Sequence, residues 1–242
     1  MWSIACSAPW LITNSWFRAP AVAIERAPAI FASCSAKWPT PPEPLRTRSE
    51  APADSPARAK ACWAVSAAQG IAAGAVLLVL NGSGGVGHFA LQLAKIAGAR
   101  SIATAGARNQ EFVMSQGAEA AIDTSCSDLA GAVAARFPGG VDVVLDAIGG
   151  APLAAALAVV KPGGIIVSVV DTLDPEAVAA RGVRFERVSS APSGEQLAVF
   201  AAHAGRKTLR PHVQTIFPLA AAGRAQEESR GGHVRGKLVL AL

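Results

Sequence analysis

The apolar positions of this chain change rhythm near residue 70. From there on, short runs that are apolar at nearly every position alternate with stretches where apolar residues recur at three- and four-residue intervals. Such runs are expected of strands buried on both faces, and the intervals are those of amphipathic helices. Val76–Leu80 is the first apolar run. The pattern then predicts a helix to residue 97, a strand over 101–105, and a helix over 109–116 ended by Gly117. An edge-like strand over 120–123 follows, then a helix over about 127–136 and a strongly apolar strand over 141–146. Beyond it come a helix over 151–160 closed by Lys161-Pro162-Gly163-Gly164, a strand over 165–170, a helix near 175–180 and a strand over 183–188. Strands separated by helical segments imply right-handed crossovers and a parallel sheet, so the expected fold is α/β, a doubly wound domain. The last part reads as a helix over 196–204, an extended segment over 212–217, a helix over 219–228 and an apolar strand over 237–242.

Between the first strand and the first helix the chain reads Asn81-Gly82-Ser83-Gly84-Gly85-Val86-Gly87-His88. This is a G-x-G-x-x-G turn lying where an apolar strand passes directly into a helix, the context that makes the glycine pattern a dinucleotide-binding fingerprint of the Rossmann type. Gly82 permits the tight turn, Gly84 has no Cβ to block a pyrophosphate, and Gly87 lets the helix pack closely on its strand. The helix start adds N–H groups and a positive dipole end. Gly82, Ser83, Gly84, Gly85, Val86 and Gly87 are therefore candidate cofactor-binding residues, the alternative being a purely structural turn. Phe89, Leu93 and Ile96 share one helix face with Ala90, Ala94 and Ala97 beside them, and that face is expected to lie on the sheet before the helix stops at Gly98.

Composition divides the chain. Residues 1–69 contain none of the 23 glycines, all five tryptophans and three of the four cysteines. Pro39, Pro41, Pro42, Pro44, Pro52 and Pro56 interrupt every potential element there, and 46–60 reads as a linker. Two regions are expected: an irregular segment over 1–69 and a nucleotide-binding domain with its tail over 70–242. The net charge of +5 is scattered, with one local cluster at Arg206, Lys207 and Arg210, which argues against nucleic acid as a partner. Cys6, Cys34, Cys62 and Cys126 have neither C-x-x-C spacing nor a disulfide framework, so a cytoplasmic setting is the simplest. No basic leader and no run near the roughly 18 apolar residues of a membrane span is present, and neither export nor a membrane is expected.

The glycine turn, Val141-Asp142-Val143-Val144-Leu145-Asp146, Lys161-Pro162-Gly163-Gly164 and Gly236-Lys237-Leu238-Val239 together resemble the medium-chain dehydrogenase/reductases, most of all their zinc-independent quinone oxidoreductase branch. Ala105-Gly106-Ala107-Arg108-Asn109-Gln110-Glu111-Phe112-Val113 and Pro192-Ser193-Gly194-Glu195-Gln196-Leu197 extend the resemblance, which covers roughly residues 70 to 242. It implies hydride transfer from a nicotinamide cofactor to a small-molecule electron acceptor, a quinone or an enone. It also implies a GroES-like catalytic domain ahead of the nucleotide-binding one, where this chain has the proline-interrupted segment. The family's closing segment, here about 212–242, returns to that domain, so Ile216, Phe217, Leu238 and Leu240 are expected to lack partners and to form exposed apolar surface. Pairing through the edge strand at 183–188 would make a homodimer, although an edge strand in a monomer would look the same.

An acid about 20 residues beyond the glycine turn selects NAD by bonding the ribose 2′-hydroxyl. Ile102-Ala103-Thr104-Ala105-Gly106 contains none, and Arg108 just beyond either pairs with a 2′-phosphate or is a solvated residue at a helix start. The expected cofactor is NADP (NADPH) in preference to NAD, with Ala105, Gly106 and Arg108 at its ribose. Ala147, Ile148 and Gly149 follow a strand end, where open α/β sheets bind ligands, and would line the crevice. Asp146 either touches ribose or caps the local turn. Val169 and Val170 end the next strand and, by the resemblance, lie near the nicotinamide.

No residue is a convincing proton donor. The chain has no tyrosine, and His88, His203, His212 and His233 are dispersed without metal-ligand spacing, so no metal is expected. His88 either approaches phosphate or is a polar helix-start group, and the other three are expected to face solvent. Cys126 reads as a buried or bystander thiol. Ser83 either donates its hydroxyl to phosphate or contributes its backbone N–H. Two functions follow: an NADPH-dependent oxidoreductase of quinone reductase type, or a truncated, catalytically inactive NADP-binding module.

Overall fold

A computed structural model of the chain describes residues 2–5, 71–188 and 194–241. The strands in chain order are β1 (Trp2–Ala5), β2 (Val76–Leu80), β3 (Arg100–Ala105), β4 (Ala120–Asp123), β5 (Val141–Asp146), β6 (Val160–Ser168), β7 (Arg184–Arg187), β8 (Val213–Pro218) and β9 (Lys237–Ala241). The helices are α1 (Gly87–Ile96), α2 (Gln110–Ser115), α3 (Leu129–Ala134), α4 (Gly150–Ala156), α5 (Pro175–Ala180), α6 (Gly194–Gly205) and α7 (Ala222–Arg230). Six strands pair in the order β4-β3-β2-β5-β6-β7, all parallel. This is the doubly wound order, with the direction of winding reversing between β2 and β5.

The run Val76–Leu80 is apolar throughout because both faces of β2 are covered. Val76, Leu78 and Leu80 join Ile102, Val144 and Ile166 in one core layer, while Leu77 and Val79 join Ala103, Ala105, Leu145 and Val167 in the other. Every residue of β2 is buried.

Helix α1 departs from the expected docking face. Ala90, Leu91 and Ala94 form the side in the sheet layer, where two methyl side chains permit close approach. Leu93, with Phe89 and Ile96 beside it, packs with Leu209, Phe200 and Ile71. The large apolar stripe therefore serves the tail, and the small one serves the sheet.

Strand β6 also differs from the expectation. It begins at Val160, within the segment read as a helix end, and stops at Ser168 instead of Val170. Val141 pairs with Val160 but Val143 pairs with Ile165, so 161–164 bulges out of the ladder. The Pro-Gly-Gly sequence that reads as a terminator is absorbed as this bulge, because the flanking residues both find partners on β5. Strand β7 lies at the edge of the sheet and pairs with no further strand among the described residues, and Arg184 and Arg187 on it are exposed.

The tail builds a second, three-stranded sheet in the order β1-β9-β8. Strand β1 runs antiparallel to β9, with Trp2 opposite Ala241 and Ala5 opposite Leu238. It falls where little regular structure is expected, since its reason is the backbone edge of β9 and not a local periodicity. The remainder of 1–69, including Cys6, Cys34 and Cys62, lies outside the described residues, as does Pro192-Ser193. Phe217 and Leu238 are not exposed: they pack with Ala225 and Val234, and Leu240 lies against them. Ile216 alone of the four is open, at 54% exposure, with Val213 and Leu219 also exposed nearby. No helix among the described residues is long and apolar enough to cross a membrane.

Candidate functional site

At the end of β2 the chain reverses on Asn81, whose φ is +62°. Asparagine tolerates this left-handed conformation better than most residues. The turn is anchored to β3 on two bonds: the Asn81 N–H donates to Thr104 Oγ1 at 2.9 Å, and the Gly82 N–H donates to the Thr104 carbonyl at 2.8 Å. A Cβ on Gly87 would strike the Asn81 carbonyl and stand 2.6 Å from Gly82 Cα, so only glycine fits where α1 leaves the strand. The three atoms nearest a Cβ on Gly84 would all belong to the Asn81 side-chain amide, the first at 2.8 Å. Val86 supplies no capping side chain and the first turn of α1 holds no acid, so its own side chains leave the positive helix end unneutralised.

The parallel strands bring the other candidates to the same, C-terminal edge of the sheet. Ala105 ends β3 and is buried, Gly106 is half-buried, and Arg108 is exposed within a short 3-10 turn at Ala107–Asn109. On the other side of β2, Ala147, Ile148 and Gly149 follow β5, with Ile148 exposed and Gly149 buried. Val169 and Val170 follow β6 instead of ending it. Their N–H groups donate to the Asp146 carbonyl at 3.1 Å and to Ser168 Oγ at 3.2 Å.

Asp146 is fully buried and its carboxylate is committed to the local turn. One oxygen accepts from the N–H groups of Ile148 at 3.0 Å and Gly149 at 2.9 Å, and the other accepts from Ser168 Oγ at 2.7 Å. Asp146 is thus the cap of its turn. Asp171 adds a bond from the Gly150 N–H to Oδ2 at 2.9 Å. Ser83 is buried, and its hydroxyl accepts from Asn109 Nδ2 at 3.3 Å while its carbonyl accepts from the Gly236 N–H at 2.9 Å.

The histidines differ in burial. His88 is a polar group in the first turn of α1, and it is completely buried: its Nδ1 donates to the Gly84 carbonyl at 2.9 Å while its Nε2 accepts from the His212 N–H at 3.4 Å. Burial pushes its pKa down to about 4, against the Gly84 hydrogen bond and aided by the charge of Lys237, so the ring is neutral. His212 is half-buried. Its ring lies 4.6 Å from that of Phe112, and desolvation, with Arg235 nearby, lowers its pKa below the ordinary range. His203 is half-buried, with Nδ1 3.1 Å from Thr208 Oγ1, and His233 is exposed. Cys126 is exposed, not buried, with Sγ 3.4 Å from the Asp128 carbonyl.

Several residues that shape this site do not stand out in the sequence. Asn81 has a signal in its Asn-Gly dipeptide, and Ser168 in being the one polar residue of an apolar run. Thr104, Asn109, Asp171 and Arg235 have none, since their roles depend on which strand ends meet. The arrangement offers an uncapped helix start, small residues on either side and a rim that carries an exposed cation, Arg108. These fit a phosphate-bearing dinucleotide. Among the described residues no group of three or more His, Cys, Asp or Glu side chains is placed to hold a metal.

Residues 116–240 match the family model described as zinc-binding dehydrogenase. The metal of that description has no ligand set among the described residues. The chloroplast envelope quinone oxidoreductase homolog of Arabidopsis thaliana is 31% identical over 174 residues, covering 68% of this chain and 51% of that protein. The NADPH-dependent alkenal/one oxidoreductase, chloroplastic, of the same plant is 34% identical over 172 residues, covering 69% of this chain and 41% of that protein. The solved structure of the quinone oxidoreductase from Coxiella burnetii superposes with a TM-score of 0.68 at 33% identity, covering 76% of this chain and 57% of that one. The chain spans about half the length of the curated relatives it matches.

Proposed function

The chain belongs to the medium-chain dehydrogenase/reductase superfamily, and on that premise we propose that it is an oxidoreductase that binds NADPH at the glycine turn and serves hydride transfer to a quinone or enone-like acceptor. The observation that carries the cofactor reading is the joint geometry of the uncapped α1 start and the acid-free rim after β3. Gly84 leaves room for the pyrophosphate, and the N–H groups at the start of α1 face it with the positive end of the helix dipole. Arg108, with no carboxylate in 102–106 to oppose it, pairs with the 2′-phosphate. Ala105 and Gly106 flank the adenosine ribose, Ala147, Ile148 and Gly149 line the crevice, and Val169 and Val170 stand toward the nicotinamide.

When bound, the nicotinamide supplies the hydride. The protein's share is position: Asp146 and Ser168 hold the two crevice loops at a fixed separation, and the apolar ends of those loops keep water from the reacting face. The acceptor class rests on the relatives named for quinones and alkenals. The cysteine usage supports a cytoplasmic setting, and the exposed edge of β7 supports pairing of two copies.

Calorimetric titration of the whole chain with NADPH and NADH, followed by NADPH oxidation with a quinone and with a 2-alkenal, tests this reading. Tighter NADPH binding with turnover is the expected result. Binding without turnover would mark a cofactor-binding module, and no binding by the folded chain would overturn the site.

A further inference from the structure

The tail is joined to the nucleotide-binding unit by hydrogen bonds that the proposed function does not use. Gln92 Oε1 accepts from the Arg210 N–H at 2.8 Å and Nε2 donates to the Arg210 carbonyl at 2.9 Å, so one side chain imitates the backbone of a neighbouring strand. The Gly236 N–H donates to the Ser83 carbonyl within the glycine turn at 2.9 Å. Between these contacts, Arg235 reaches the loop after β3. Its Nε donates to Asn109 Oδ1 at 2.9 Å and its Nη2 to the Arg108 carbonyl at 3.1 Å, with the guanidinium 5.2 Å from the centre of the Phe112 ring. Asn109 passes the connection to Ser83 Oγ at 3.3 Å.

Arg235 is itself held from behind. Its N–H donates to Gln214 Oε1 at 2.6 Å, and Gln214 Nε2 donates to Glu228 Oε1 at 2.8 Å, so β8 and α7 fix the base from which it extends. Besides Arg235, side-chain bonds from Asn109 to Ser83 and from Gln110 to Asp123 tie the loop to its surroundings. The 3-10 turn Ala107–Asn109 has no side-chain cap, and Ala107 and Arg108 are exposed.

We propose that Arg235 is a positioning residue for nucleotide selection, fixing the backbone of Arg108 and the side chain of Asn109 against the glycine turn without itself touching the nucleotide. This rests on the reading of Arg108 as the partner of the 2′-phosphate. The requirement is for the planar fork of arginine. Two N–H groups diverge toward two acceptors on adjacent residues, which a lysine ammonium supplies with charge but not with geometry. Selection at the rim of the sheet is in this way set by the end of the chain, 127 positions away in sequence.

The test is calorimetry of the full chain with NADPH and NADH, with deuterium exchange of the loop in the nucleotide-free protein. Arg235→Lys is the primary variant, because it keeps the positive charge while removing the planar fork that reaches Arg108, Asn109 and Phe112. Asn109→Ala, which removes one of the two acceptors together with the bond to Ser83 Oγ and leaves Arg235 in place, is the second should the first not fold. Either is expected to weaken NADPH roughly tenfold, leave NADH within about twofold and speed exchange at 106–110. Arg235→Lys added to Arg108→Ala is expected to change the NADPH-to-NADH ratio no further. A wild-type ratio in Arg235→Lys, beside a collapsed ratio in Arg108→Ala, overturns the positioning role alone. Full additivity of the two changes also overturns it, by making Arg235 a direct phosphate contact. A wild-type ratio in Arg108→Ala overturns the reading of Arg108 and the proposal with it.

Discussion

Ser168 Oγ donates to Asp146 Oδ2 at 2.7 Å and so ties together the ends of β5 and β6, the strands whose following loops line the candidate crevice. Both residues are fully buried. The bond is strong because its acceptor is a carboxylate, and that carboxylate also holds the Ile148 and Gly149 N–H groups.

Asp146→Ala would leave those three donors without their acceptor, and it is expected to lower stability by roughly 3 kcal/mol. Asp146→Asn, which keeps an acceptor for the two N–H groups and can donate to Ser168, should cost about 1 kcal/mol. Urea unfolding of the two variants checks this. Equal losses would show that the carboxylate is not the keystone of the turn.

The glycines of the turn should separate fold from binding. Gly87→Ala sets a methyl group against backbone, at the Asn81 carbonyl and Gly82 Cα, and is expected to prevent stable folding. Gly84→Ala comes nearest to the Asn81 side chain, not to backbone, so the melting curve should stay near that of the parent while NADPH binding is lost. Thermal melts and calorimetry on the same samples read both.

Arg108→Ala should weaken NADPH roughly tenfold or more and leave NADH nearly unchanged, since only one of the two carries the 2′-phosphate. Raising the salt concentration should narrow the wild-type preference, because the side chain is exposed. Equal losses for both nucleotides would remove Arg108 from the site.

His88 makes the fold acid-sensitive. Its folded pKa of about 4 lies below the ordinary 6.5, so between those values the unfolded chain binds the extra proton. The contribution of His88 is fully present above pH 6.5 and is lost as pH drops toward 4, by about 3 kcal/mol. His88→Gln should flatten this segment of the stability–pH curve, whatever its cost at neutral pH. Urea midpoints measured from pH 7 to pH 4 provide the test, and an unchanged slope would rule His88 out as its source.

Much of the nucleotide-binding unit is legible in the order of its residues. Val76–Leu80, Ala120–Asp123, Val141–Asp146 and Pro175–Ala180 occupy the predicted positions. These elements are dictated locally: a strand covered on both faces must be apolar at every position, and Pro175 starts a helix at the residue after its Asp174 cap. The glycine turn is legible for the same reason, since Gly87 answers to atoms only a few residues away. Less legible is the sheet-facing side of α1, because Ala90 and Ala94 carry a weaker apolar signal than Phe89 and Ile96. Choosing between the stripes needs the position of Leu209 and Phe200.

Sequence alone thus determined the order of strands and helices from β2 onward and the parallel sheet, and it marked the glycine turn as the candidate nucleotide site, since each is written in residues close together along the chain. Tertiary structure decided the rest. It buried His88 under the tail, made Asp146 a turn cap by bringing Ser168 to it from β6, and covered the edge of β9 with β1. It also placed Arg235 beside Arg108, a pairing of residues so distant in the chain that no periodicity or spacing records it. Contacts of that kind exist only once loops have closed and the ends of separate strands share one surface.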